Sequence, residues 1–327
     1  MDKMEERFEN YDPSTKTFVV NTNLIVNIED LFYKQILPIT PYVVIKKKRG
    51  RKKKVVEEDP NKGIKCGSII RFQYMKEYQG AVLKTKEKSG FFRNSVTIVI
   101  YIEDKLINFK LSRNGKFQVT GCKHDGQAEK CVLYIWKYIK PHPEIYSFSD
   151  GSHLRAIFDP VMHNIDFSLG FQVNRENLDN YINMNTPYTS LLETTLGYTG
   201  VNIKLPVETD YKDLNIKCKE YIGGTVKTTL ISFEEFLKKY KKKDLKKTIY
   251  NTFLVFQSGK VIMSGKVGIF MSPSYYEFIK IIQRCREHIK EEIDDDWEKK
   301  PSKKSAKALK AEAPVTRTLR SRKVLFE

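Results

Sequence analysis

The chain has little cysteine, little histidine and no long apolar run, and each shortage removes a class of function. The five cysteines in 327 residues, Cys66, Cys122, Cys131, Cys218 and Cys285, are odd in number, scattered and never in C-x-x-C spacing. A zinc knuckle or a disulfide framework is therefore not expected, and free thiols in a reducing compartment fit best. The five histidines, His124, His142, His153, His163 and His288, do not cluster with carboxylates or cysteines at ligand spacing. No Gly-rich phosphate loop, G-x-S-x-G or H-E-x-x-H motif is present, so the chain reads as a non-enzyme without cofactor or metal. His163 beside Asp159 and Asp166 is the one suggestive grouping, and it reads as structural. No apolar run approaches the roughly 18 residues of a membrane span. The start, MDKMEERFENYD, lacks the basic lead and apolar stretch of a signal peptide. The expectation is a soluble intracellular monomer with no membrane partner.

What is present is a phrase written twice. Gly-Lys-x-x-x-[Ser/Thr]-Gly occurs at 115–121 and again at 259–265, offset by 144 residues from Gly115 to Gly259. The upstream runs, LINFKLSRNGKFQVTGCK from Leu106 and NTFLVFQSGKVIMSGKV from Asn251, read as β-hairpins whose tight turns hold Gly115 and Gly259. Asp125 can cap a following helix with Ala128, Cys131, Val132, Ile135, Trp136 and Ile139 on one face. Ser272-Pro273 opens another, carrying Tyr275, Phe278, Ile279, Ile282 and Ile289. Hairpin then helix, twice, predicts a duplicated, pseudo-symmetric α+β unit. With 40% hydrophobic and 12% aromatic residues the chain can bury one large core or two coupled ones.

Other elements follow from β-branched and apolar patterning. Strands are predicted at 18–26, 68–74, 81–84, 95–102, 106–111, 117–120, 165–173 and 200–205, and helices at 29–35, 127–140 and 176–182. Within an insertion at 206–250, Ser232 and Glu235 form a capping box at the start of SFEEFLKKYKKKDLKK, whose lysines read as a solvated face or as a binding site.

The net charge of +18 is unevenly placed. Eight of these charges lie in KKKRGRKKK at 46–54, and the segment 299–323 has ten basic residues against Glu312, nine more, which leaves one for everything else. These low-complexity runs, Lys46, Lys47, Lys48, Arg49, Arg51, Lys52, Lys53 and Lys54 together with Arg317, Arg320 and Arg322, suit non-specific phosphate attraction by counterion release. RGR between lysines is also similar to a minor-groove hook or a nuclear-import signal.

The hairpin from Asn251, followed by a helix with YYEFIKII, resembles the second repeat of the TATA-box-binding protein family. FVVNTNL at 18–24 and FKLSRNGKFQVTGCK at 109–123 resemble the first, and the long insertions make the chain similar to the divergent forms encoded by large DNA viruses. The resemblance covers 17–141 and 157–292. It implies a polar lead at 1–16, a first repeat at 17–148 with a basic insertion at 46–62, a second repeat at 149–293 with the insertion 206–250, and a disordered basic tail at 294–327. It further implies a curved antiparallel sheet, a saddle with helices on its convex face, whose concave face lies on the DNA minor groove and inserts apolar wedges between base steps.

Carried over by position, Phe256 and Tyr198 are the second-repeat wedges, Lys260 and Lys204 face phosphates, and Ile262 and Ser264 lie on the groove floor. In the first repeat Lys116 and Thr120 match. Leu111 or Ser112 stands at one wedge position and Phe92 or Arg93 at the other, with Phe91 and Phe92 able to supply one wedge. Gln118 replaces a floor valine, Asn23 matches a family asparagine, and two further family asparagines fall at Thr17 and Pro160. The implied partners are double-stranded promoter DNA, a TFIIB-like factor and RNA polymerase. The implied place is the host nucleus or a cytoplasmic viral replication site, with packaging in virions left open. Two readings stand beside this one: a protein-interaction scaffold that keeps the fold, and a non-specific nucleic-acid binder acting through its basic segments.

Overall fold

The computed structural model describes residues 6–44, 60–83, 92–192, 200–207, 214–240 and 248–291, and the fold below lies within Met1–Lys290. Among the described residues, thirteen strands join one antiparallel sheet. The first half supplies β1 (Thr15–Thr22), β3 (Ile69–Tyr74), β4 (Glu77–Gly80), β5 (Ser95–Ile102), β6 (Lys105–Ser112) and β7 (Phe117–Cys122). The second supplies β9 (Leu154–Ser168), β10 (Thr189–Leu192), β11 (Gly200–Pro206), β14 (Tyr250–Phe256) and β15 (Lys260–Gly265), and an insertion adds the hairpin β12 (Asn215–Ile222) and β13 (Thr225–Ser232). The order across the sheet is β10-β11-β14-β15-β9-β1-β7-β6-β5-β3-β4. Read outward from the β1–β9 seam, each half places its first strand, then its last, then the partner of its hairpin. A separate two-stranded pair joins β2 (Leu24–Val26) to β8 (Tyr146–Phe148).

Alternation decides what each strand buries. In β14, Phe253 and Val255 point inward, and in β6, Phe109 and Leu111 do the same. They meet α1 (Ile28–Tyr33) and α2 (Asp125–Ile139) in the first half, and α3 (Arg175–Asn185) and α5 (Gly268–Ile289) in the second. The α2 stripe Ala128, Cys131, Val132, Ile135, Trp136 and Ile139 is buried as its spacing requires. In the second core the Phe253 and Phe278 rings stack with centroids 4.2 Å apart and planes 7° apart. Four of the cysteines are buried and Cys66 is exposed, all as free thiols.

Both repeated turns use glycine for a physical reason. Gly115 and Gly259 have φ of 66° and 74°, and a Cβ would stand 2.2 Å from the Leu24 carbonyl oxygen at the first and 1.9 Å from that of Phe171 at the second. Only glycine combines the left-handed backbone with that approach.

Several boundaries differ from the sequence reading. The strand at 18–26 breaks at Asn23 into β1 and β2. The strand expected at 165–173 is the far end of β9, which begins at Leu154, and the strand expected from 81 is displaced to β4 by a turn at Met75, whose φ is 49°. Asp125 lies inside α2 rather than capping it; the N-cap is His124, without a side-chain bond, and Asp125 instead accepts from the Lys16 ammonium at 3.0 Å. Helix α5 starts at Gly268, before Ser272-Pro273, because buried Asn251 donates to the Phe270 carbonyl and to Ser274 Oγ, both at 2.8 Å, and fixes the first turn against β14. The hairpin β12–β13 and strand β10 had no counterpart in the expected strands. Among the described residues no helix is long and apolar enough to cross a membrane.

Candidate nucleic-acid interface

The face of the sheet opposite α1, α2, α3 and α5, called here the open face, receives the outward residues of every strand. In the second half these are Asn164, Asp166 and Ser168 from β9, Lys260, Ile262 and Ser264 from β15, Thr252, Leu254 and Phe256 from β14, and Asn202 and Lys204 from β11. Their inward neighbours Ile165, Phe167, Val261, Met263, Phe253, Val255, Val201 and Ile203 are all core. Phe256 is half-buried and, with Asp166, Ser168, Lys260 and Ile262, lines a hollow of about 730 Å³. Gly200 lies opposite Phe256, and a Cβ there would stand 2.7 Å from Leu254 Cδ1, so the glycine leaves room for that leucine. Ser264 Oγ donates to Asn164 Oδ1 at 2.8 Å, and Asn164 Nδ2 donates to Thr15 Oγ1 at 3.1 Å across the seam.

The first half repeats the register with different side chains. Gly115 N–H bonds back to the Ser112 carbonyl at 2.9 Å, as Gly259 N–H does to that of Phe256 at 2.9 Å. Ser112 pairs with Ser95 as Phe256 pairs with Gly200. Ser112 is therefore the counterpart of Phe256, and Leu111 is not: it points inward, is fully buried among the first-half core, and cannot act as a wedge. Lys116, Gln118 and Thr120 are exposed at the counterparts of Lys260, Ile262 and Ser264, and the Thr120 hydroxyl donates to the Asn108 carbonyl at 3.0 Å. Phe92 is 59% exposed, with the Lys110 ammonium 3.5 Å over its ring.

Asn23 is a second correction. Its amide donates to the Asp150 and His153 carbonyls at 2.7 and 2.9 Å and accepts from Arg155 N–H at 2.8 Å, so it is a buried brace at the β1–β2 break rather than a reader. His163, Asp159 and Asp166 do not come together. His163 is buried on the helix side, where burial, with the Lys16 charge beside it, pushes its pKa down to about 4. Asp159 accepts from the Lys266 ammonium at 2.8 Å, and Asp166 is exposed on the open face. Phe91, Tyr198, the 46–54 run and Arg317, Arg320 and Arg322 lie outside the described residues.

The insertion has the helix cap expected at Ser232 and adds a packing that the sequence did not announce. Its helix α4 (Phe233–Tyr240) is capped by Ser232 Oγ, which accepts from Glu235 N–H at 3.2 Å. The helix places Phe233 and Phe236 on Ile157, Ile216 and Cys218 in a third cluster. Ile157 alternates with Ala156 and Phe158, which face the first-half core, so α4 stands on the open face, near the seam. Its Phe233 ring lies 4.3 Å from the Lys266 ammonium over the buried Asp159–Lys266 pair. On the other face, Lys217 and Lys219 of β12 both bond Glu129 of α2, the first at 2.8 Å. Burial raises the Glu129 carboxyl, but these two ammonium groups hold it below its ordinary value.

No known family profile matches the chain. An uncharacterised protein, 335L, of Invertebrate iridescent virus 6 is 27% identical over 241 residues, 69% of this chain and 70% of that protein. A protein of Acanthamoeba polyphaga mimivirus named TATA-box-binding protein-like is 28% identical over 226 residues. The chain is similar to a divergent viral TATA-box-binding-protein-like protein. The match to the mimivirus protein takes in 64% of this chain but only 53% of that relative's length. Among solved structures, the TBP of Methanococcus jannaschii covers 84% of this chain and 98% of its own, at 13% identity and a TM-score of 0.39.

One further register matters for the expected site residues. Pro160 was aligned with a family asparagine, yet it lies next to the irregularity between Thr17 and Phe18 in the β1–β9 pairing. The residue that faces Ser264 is Asn164. The alternation Asn164, Ile165, Asp166, Phe167, Ser168 was the signal that could have found it.

Proposed function

We propose that this protein is a non-enzymatic transcription initiation factor that binds and bends promoter DNA through the minor groove. The observation that carries the reading is the open face of the second half. A minor groove offers few donors and is read by flat apolar strands, small hydroxyls and amides, and Phe256, Leu254, Ile262, Ser264 and Asn164 are that set. Lys260 and Lys204 stand at its border for phosphates, and Lys116 repeats the first of them. Double-stranded DNA is the partner, with the basic runs adding a sequence-independent attraction. The helix side is left for a TFIIB-like factor and RNA polymerase.

The test is binding and bending of AT-rich and GC-rich duplexes by end-labelled fluorescence transfer at moderate salt. The wild-type chain bends AT-rich DNA and the Phe256→Ala variant does not. If the two bend DNA equally, or neither bends it, the reading is wrong.

One observation favours the scaffold reading instead. Helix α4 covers Ile157 and the Asp159–Lys266 pair near the seam, which removes part of the open face from any duplex. Under that reading Phe256→Ala changes nothing that the protein binds, and a Phe233→Ser/Phe236→Ser variant, which loosens α4, gains no DNA affinity.

A further inference from the structure

Asp166 is the residue of the open face that neither the fold nor the phosphate contacts require. It lies near the end of β9's outward row, between Asn164 and Ser168, and its register partner is Ile262. It lines the same hollow of about 730 Å³ as Phe256, Lys260 and Ile262. It is exposed, and among the described residues no hydrogen bond or ion pair engages its carboxylate. Its first-half counterpart, facing Gln118 as Asp166 faces Ile262, is Val19. The sheet therefore accepts an apolar residue at this position, and the carboxylate is a departure confined to one half.

On a surface that meets a minor groove, a carboxylate is selective. Every A·T pair presents only acceptors there, adenine N3 and thymine O2, and a desolvated acceptor placed against them loses its water for nothing. A G·C pair adds one donor, the guanine N2 amino group. Resting on the DNA-binding reading above, we infer that Asp166 is a specificity-determining residue that selects guanine at one position of an otherwise A·T-rich site. In this assignment an Asp166 Oδ accepts a hydrogen bond from guanine N2–H. Bonds to an ionised acceptor are the stronger kind, and discrimination of about ten-fold to a hundred-fold at that position is the expected size.

The test uses the full chain and a set of AT-rich duplexes of one length, each with a single G·C pair moved stepwise through the site, read by fluorescence anisotropy and by end-to-end transfer. One position favours guanine. Replacing that guanine by inosine, which removes only the N2 amino group, cancels the preference. Replacing an adenine there by 2,6-diaminopurine, which adds the group, restores it. Asp166→Val abolishes the preference and strengthens binding to the all-A·T duplex, while its melting temperature stays near that of the wild type because the side chain is exposed. Duplexes bound and bent with no difference between guanine and inosine at any position overturn this assignment and leave the function standing. An equal gain by Asp166→Val on every duplex also overturns it, since relief of phosphate repulsion would then account for the change. Failure to bind or bend any duplex in a Phe256-dependent way removes the function and this assignment together.

Discussion

The two halves match position for position in buried apolar character where they face the core and diverge in chemistry where they face outward. Inward, Phe109, Leu111, Phe117 and Val119 of the first half correspond to Phe253, Val255, Val261 and Met263 of the second, all buried. Outward, Lys110, Ser112, Gln118 and Val19 stand where the second half has Leu254, Phe256, Ile262 and Asp166. Close packing leaves little freedom to the inward set, because a change of one methylene is felt. The outward set meets no such constraint, so its chemistry reflects what the face touches. At these positions the second half offers three apolar side chains and an exposed carboxylate, and the first offers an ammonium group, a hydroxyl, an amide and a valine. If both halves bind DNA, they do so differently, the second by inserting and the first by lying against the backbone.

The largest expected effect separates inward from outward in one hairpin. Phe253→Ala removes a ring stacked on Phe278 and should destabilise the fold by about 3–5 kcal/mol, read as a shift of the urea midpoint. Phe109→Ala should act alike in the first half, and a loss below 1 kcal/mol at either site would break the equivalence of the two cores.

Next in size, Phe256→Ala should leave the urea midpoint nearly unchanged yet weaken binding to AT-rich duplexes by about 1.5–3 kcal/mol, the burial of one such side chain. The converse change, Ser112→Phe with Gln118→Ile, gives the first half the second half's face. It should increase bending, and no increase would show that the halves differ in more than these side chains.

The seam between the halves carries a pH effect. The His163 pKa is about 4 in the fold against an ordinary 6.5, so its contribution to stability is complete above about pH 6.5 and is lost as pH falls toward 4. Between pH 7 and pH 5 this amounts to about 1–2 kcal/mol. The loss should be absent from the His163→Gln variant's own pH profile in chemical denaturation, and therefore show as the difference between the two proteins. A wild-type and variant pair with parallel pH profiles would show that His163 does not titrate as stated.

The smallest effect concerns single phosphates. Lys260→Ala should lower the salt slope of DNA binding by about 0.9 for one released counterion. The same change at Lys116 tells whether the first half touches the backbone, since an unchanged slope would leave the second half alone on the DNA.

How much of this was legible depended on range. The duplicated hairpins, their glycine turns and the stripes of α2 and α5 were readable because each is set by neighbours within a few residues. The wedge assignment at 111–112 was not, because a strand's alternation has two phases and only the Ser95–Ser112 pairing shows which one faces the core. Asn23 looked like a reader until its three partners, at 150, 153 and 155, were brought beside it. Asn164 was displaced from its position by the irregularity at the seam, which sequence spacing cannot register. The hairpin β12–β13 lay hidden in a lysine-rich insertion whose charge masked the alternation of Ile216 and Cys218.

By itself, the sequence determined that this protein is built twice from one hairpin-and-helix unit, which residues alternate in each strand, and where glycine must turn the chain. These are consequences of local sterics and periodicity. Only the tertiary structure decided that β1 and β9, lying well over a hundred residues apart, meet to join the halves. The same holds for α4 standing on the open face and for Asp166 reaching that face without a partner. Those outcomes come from pairing distant segments in one register, where a shift of a single residue would exchange every inward side chain for an outward one.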